Sequence, residues 1–122
     1  MTTPHSWSYA VWASLVGTPL LISGGQVLFK YVGQRMAGFD GQSLRFLLFD
    51  PYFVASMLVY AIATISWIFV LRSVPLGIAY SFTALGFLFV PLLSMALFGE
   101  VLGLRYFMGA ILIMIWLVVI NA

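Results

Sequence analysis

Apolar residues run along the chain in four long blocks, at about 7–31, 51–71, 76–98 and 104–120, separated by short polar breaks. A helix needs roughly 20 residues to cross the hydrocarbon core of a bilayer, so each block is long enough for one crossing. The pattern predicts an all-α integral membrane protein, with residues 1–122 forming a single four-helix transmembrane domain. Four crossings leave only connections and ends outside the membrane, and no C-terminal domain is expected.

The blocks differ in texture. The first is the least uniform, with Ser14, Gly17, Thr18, Pro19, Ser23, Gly24, Gly25 and Gln26 among its apolar residues. Lipid-facing surface does not require that mixture. A linker over 32–50 follows, holding Gly33, Gly38, Gly41 and most of the charges, with a short interfacial segment expected at 44–49. Asp50 before Pro51 reads as an N-cap followed by proline at the first helical position. The second and third spans are joined by Arg72-Ser73-Val74-Pro75, too short for anything but an antiparallel pair, and Gly99, Glu100 and Gly103 mark the turn into the fourth.

Composition agrees: 64% of the 122 residues are hydrophobic and 7% charged, against about a quarter charged in soluble domains. Lipid solvates such a surface while helices satisfy their own backbone. The net charge of +2 arises from scattered positions, not from the basic stripe of a nucleic-acid binder, so no nucleic-acid partner is expected. There is no cysteine, which excludes disulfides and thiolate metal sites. No basic segment precedes the first block and no small-residue cleavage site clearly follows it, so it reads as a retained helix, not a signal peptide. Trp7, Tyr9 and Trp12 at one end, and Tyr31, Tyr52 and Tyr106 near the other, suit interfacial anchors. Lys30, Arg35, Arg45 and Arg105 share one membrane face against Arg72 opposite, and the positive-inside rule makes that face cytoplasmic, with both termini on the other side.

No enzyme constellation is visible. His5 is the only histidine, the three carboxylates are dispersed near helix ends, and no glycine-rich loop precedes a lysine and hydroxyl in P-loop order. Neither catalytic residues, metal nor cofactor are expected; transport or lipid handling remains. The densest local signal is Ser23-Gly24-Gly25-Gln26-Val27-Leu28-Phe29-Lys30. Gln26 and Lys30 are four apart and share a helix face, and Gly24 and Gly25 permit close approach by a helix or ligand. That face can bind an anion such as phosphate. Lys30 can equally snorkel to the headgroups, with the glycines merely packing helices. Pro19 and Pro91 each remove a backbone hydrogen bond, freeing the carbonyls of Leu15 and Phe87. Glu100, close to Arg105 in sequence, reads as a solvated or ion-paired carboxylate, and Arg72 as a headgroup anchor.

Val74-Pro75-Leu76-Gly77-Ile78-Ala79-Tyr80, followed by Phe98-Gly99-Glu100 and a closing apolar helix, resembles the small multidrug resistance proteins of the drug/metabolite transporter superfamily. That resemblance implies a four-helix subunit working as a dimer. The family's drug exporters carry a membrane-embedded glutamate eight residues before the lysine, where this chain has Ile22, and a tryptophan where it has Thr83. The chain is more similar to the small flippase subunits that move aminoarabinose-phosphoundecaprenol across the bacterial inner membrane, through Gly25, Gln26 and Lys30, the 74–80 stretch, and Glu100. It departs from them at Val101, with no proline after the glutamate.

The resemblance implies a flippase for a polyprenyl-phosphate-linked sugar, in which Lys30 and Gln26 meet the phosphate, Tyr80 and Ser23 meet sugar or phosphate hydroxyls, and Glu100 meets a cationic headgroup group. The implied partners are membrane lipids, the lipid-linked sugar phosphate, and a second copy or similar small subunit in a homodimer or heterodimer. The alternatives are an exporter of small cations or metabolites using Glu100 as its carboxylate, and a structural partner in a membrane complex.

Overall fold

The computed structural model describes residues 7–122, and His5 lies outside the described residues. Among the described residues six α-helices follow one another: α1 (Tyr9–Arg35), α2 (Gly41–Phe49), α3 (Pro51–Leu71), α4 (Leu76–Ser81), α5 (Gly86–Phe98) and α6 (Leu104–Asn121). A tight 3₁₀ turn, Phe82–Leu85, joins α4 to α5, so the two together make the third span. Among the described residues, four stretches are long and apolar enough to cross a bilayer: Tyr9–Arg35, Pro51–Leu71, Leu76–Phe98 and Leu104–Asn121.

Local chemistry sets the ends. Ser8 accepts a hydrogen bond from the Val11 amide at 3.3 Å and caps α1. The helix then continues past Tyr31, where the apolar block ends, to Arg35. At 1.5 Å per residue its 27 residues extend about 40 Å, beyond the roughly 30 Å hydrocarbon core, which carries Arg35 out to the polar layer. Asp50 is the N-cap of α3, its Oδ1 accepting from the Tyr52 amide at 2.8 Å, with Pro51 in the first turn. The expected interfacial segment is a nine-residue helix, α2, longer than 44–49 because Asp40 caps it by accepting from the Ser43 amide at 2.8 Å. That hydrogen bond also holds the Asp40 carboxyl below the usual range.

The third span is broken where side chains compete for its carbonyls. The Ser81 and Thr83 hydroxyls donate to the carbonyls of Ile78 and Tyr80, each at 2.6 Å. Such back-bonding weakens and bends helices, and the 3₁₀ turn lies at this point. Pro91 then removes the amide that would have met the Phe87 carbonyl. The Tyr106 hydroxyl of α6 donates to that carbonyl at 3.0 Å, so the defect created by proline on one span becomes a tie to the next.

α1 and α3 form the centre of the bundle. Polar ties join them at three depths: Thr18 to Ser66 at 2.7 Å, Gln26 to Tyr60 at 2.7 Å, and Arg35 to Asp50 at 3.2 Å. At the N-terminal end of α1, Trp7, Val11 and Leu15 pack with Val70, Val74, Ala79 and Phe82 as a buried cluster. Trp7 is therefore a core residue there, where an interfacial anchor was expected; its ring lies 5.2 Å from that of Trp12. α6, by contrast, has no buried residue. Exposed leucine and isoleucine carry no penalty in lipid, and association between membrane helices rests on packing and hydrogen bonds instead.

Candidate functional site

Where α1 emerges beside α5 and the start of α6, a groove of about 330 Å³ opens, lined by Gln26, Lys30, Pro91, Ser94, Glu100 and Tyr106 among others. The last turns of α1 set Gln26 and Lys30 on it one above the other. Glu100 arrives from the far end of the third span through Gly99, whose backbone is left-handed (φ +64°, ψ +23°). A side chain is strained in that region and glycine is not. The turn folds the chain back, and the Glu100 amide donates to the Ser94 carbonyl at 3.4 Å.

The Lys30 Nζ and Glu100 Oε1 atoms are 3.2 Å apart, with 50% and 38% of the two side chains still exposed. The carboxylate's partner is thus Lys30 of α1, not the Arg105 close to it in sequence. The Gln26 amide donates to the Tyr60 hydroxyl at 2.7 Å. Tyr60 also stacks on Phe29, with ring centroids 4.9 Å apart and planes 16° from parallel. This close seating needs Gly25: a Cβ there would lie 2.7 Å from Tyr60 Cε2, inside any tolerable contact. A Cβ on Gly24 would meet nothing within 4 Å.

No sequence motif marks Tyr60. Its signal was a phenol in mid-span, which requires a hydrogen-bond partner when buried in apolar surroundings. The partner comes from α1, and the rotation of α3 about its axis decides that pairing.

The five expected binding residues divide into three places. Lys30, Gln26 and Glu100 share the groove. Ser23 is buried, and its hydroxyl donates to the Pro19 carbonyl at 2.7 Å inside α1. Tyr80 is 65% exposed and lines a second groove, of about 280 Å³, with Ile22, Tyr60, Trp67 and Thr83. Tyr60 stands between the two, forming a wall of the second and holding Gln26 in the first. Ile22, Gln26 and Lys30 follow one another at four-residue spacing, so α1 presents its most apolar member to the mid-span groove and its charged member to the groove at the membrane face. The acidic residues among those described are Asp40, Asp50 and Glu100, and none lines the mid-span groove.

A second ion pair lies on the same side of the bundle. Arg35 Nη1 is 3.2 Å from Asp50 Oδ2, and the Asp50 side chain is fully buried. The guanidinium carbon sits 5.4 Å and 5.2 Å from the ring centroids of Tyr31 and Tyr52, within the reach of cation–π attraction.

Four apolar spans with an ion-paired, amide-bearing groove at the end of α1 define a small multi-pass membrane protein. Among curated proteins, the chain is similar to the probable 4-amino-4-deoxy-L-arabinose-phosphoundecaprenol flippase subunits ArnE. It is 29% identical over 112 residues to that of Enterobacter sp. (strain 638), covering 88% of this chain and 92% of the relative. It is likewise 29% identical over 112 residues to that of Klebsiella pneumoniae (strain 342), covering 92% and 96%. The subunit of Erwinia tasmaniensis is 43% identical over a shorter stretch of 58 residues, covering 48% of this chain and 54% of the relative. The likeness to small flippase subunits read from the motifs is borne out by these relatives. No family model matches the chain, and no solved structure matches it.

Proposed function

We propose that the chain is a subunit of a flippase that carries a polyprenyl-phosphate-linked sugar of the undecaprenyl type across the bacterial inner membrane, acting as a carrier and not as an enzyme. One observation carries this reading: Lys30, Gln26 and Glu100 share an open groove at the end of α1, whereas the mid-span groove holds no carboxylate. A phosphate entering hydrocarbon unpaired is prohibitively costly, and a half-exposed ammonium beside an amide is suited to accompany it. The polyprenyl chain needs no enclosure, because lipid solvates it. The relatives' printed names, which describe aminoarabinose-linked phosphoundecaprenol and a subunit, support both the ligand class and an assembly with a second copy or a similar small subunit.

Tyr80, which lines the mid-span groove, is assigned to the sugar's path at a later stage of crossing; Ser23, buried with its hydroxyl committed to the Pro19 carbonyl, is left to helix structure. The exporter alternative requires a carboxylate that can reach a cation in mid-membrane, and Glu100 is held at the membrane face by Lys30.

The test is translocation of an undecaprenyl-phosphate sugar in liposomes holding the full chain, alone and with a similar small subunit, measured as lipid accessible to an impermeant reagent outside. The expected result is protein-dependent transfer that falls at least tenfold in Lys30→Ala. Normal transfer by Lys30→Ala would remove the site assignment. Proton-driven uptake of a quaternary ammonium compound, without lipid transfer, would favour the exporter.

A further inference from the structure

Within the groove each neutral polar group already holds one hydrogen bond, and only the Gln26 amide keeps a further N–H to offer a ligand. The Gln26 amide donates to Tyr60, the Ser94 hydroxyl to the Pro91 carbonyl at 3.0 Å, and the Tyr106 hydroxyl to the Phe87 carbonyl. Val27, Val90 and Phe98 supply apolar wall. Spare capacity is therefore concentrated in the charged pair: an ammonium has three donors and a carboxylate about four lone-pair directions, and one contact of 3.2 Å joins them.

An anion binding Lys30 in this groove meets a difficulty. It must displace Glu100 or share the ammonium with it, and either way a carboxylate is left close to a phosphate. Like charges brought that close repel even in a half-exposed groove, and the repulsion is a penalty on the bound state. A ligand that brings its own cation removes the penalty, because Glu100 then receives a new partner as Lys30 gives up the old one.

We infer that Glu100 is the residue that selects an amino-bearing head group, and that it does so by partner exchange: the internal Lys30–Glu100 pair opens into two intermolecular pairs, Lys30 with the lipid phosphate and Glu100 with a primary ammonium on the sugar. This rests on the lipid-phosphate reading of the groove. In the empty site the same pair keeps both charges compensated, and it resists a lipid phosphate without an amine. Selection thus arises as much from the carboxylate's repulsion of the wrong head group as from its attraction to the right one.

The experiment is equilibrium binding to the full chain in nanodiscs, with two probes: an undecaprenyl-phosphate amino-pentose, and the same lipid with its amine acetylated. The wild-type protein is expected to prefer the free amine by about tenfold, a factor typical of one charge-assisted contact. Glu100→Gln is expected to bring the ratio close to one by moving the two affinities in opposite directions, weakening the amine-bearing lipid and strengthening the acetylated one. A merely structural defect would move both the same way. Glu100→Asp keeps the charge and is expected to keep the preference.

A wild-type preference that survives in Glu100→Gln, or equal binding of both lipids by the wild type, would overturn the partner exchange and leave the carrier reading standing. Binding of neither lipid would overturn both.

Discussion

Two ion pairs on the same side of this bundle have the same 3.2 Å separation and opposite characters. Arg35–Asp50 is closed. The aspartate side chain is fully buried, its Oδ1 caps α3, and the guanidinium lies near two tyrosine rings. Lys30–Glu100 is open, with half of the lysine and over a third of the glutamate exposed along a groove. Distance alone does not tell a structural pair from a binding one. What distinguishes them is how many other obligations each charge carries, and whether a ligand can reach it.

The largest effect on stability is expected on the closed side. Asp50→Ala removes the N-cap of α3 and strands Arg35, and Asp50 Oδ2 has no hydrogen bond to soften the dependence on that ion pair. The loss should be about 3 kcal/mol, towards the low end for a broken buried pair because Arg35 is itself 35% exposed. Glu100→Ala should stay within about 1 kcal/mol, as for exposed pairs. Unfolding in mixed micelles gives both numbers, and equal losses would break the comparison.

A smaller effect sharpens it. Tyr52→Leu takes one ring from beside Arg35 and leaves the ion pair, and should lower stability by about 1 kcal/mol, with lipid-phosphate binding unchanged. Weakened binding in that variant would show that the two pairs are coupled.

The smallest effect concerns Asp40, which caps α2 and sits in water. Its carboxyl is held below the ordinary range by the Ser43 amide. A depressed folded-state value means that the cap's contribution is fully present above the unfolded pKa and lost only as pH falls through the lower, folded one. Amide exchange at Ser43 should therefore stay slow through the range where a free aspartate takes up its proton, near pH 3.9, and rise below it. Loss of protection already above that range would contradict the cap.

Much of the fold was legible because hydropathy and punctuation agree. Four apolar blocks of sufficient length, Asp50-Pro51 at a helix start and Gly99 at a helix end each carry a local physical meaning. Pro91 even announced the free Phe87 carbonyl, though not the Tyr106 hydroxyl that meets it. What stayed hidden depends on helix rotation. Nothing local says that Tyr60 faces Gln26, that Ser23 turns its hydroxyl back into α1, or that Tyr80 lines a different groove from Lys30. The extension of α1 to Arg35 was missed for another reason: the apolar run stops at Tyr31, while the helical backbone continues until Met36 adopts an extended conformation (φ −77°, ψ 132°). Glu100 is the ion-paired, partly exposed carboxylate its position suggests, but the identity of its partner depends on the Gly99 turn, which brings it to Lys30 of α1.

If the two pairs differ as described, Lys30 gives up its internal partner for a lipid phosphate while Arg35 does not. The most direct measurement is nitrogen NMR of the Lys30 ammonium and the Arg35 guanidinium in the full chain, during titration with undecaprenyl phosphate and with its amino-sugar derivative. The Lys30 signal is expected to move with saturation, more readily for the amino-sugar lipid, and the Arg35 signal to stay in place. A Lys30 signal that does not move, or an Arg35 signal that moves in its stead, would contradict that difference.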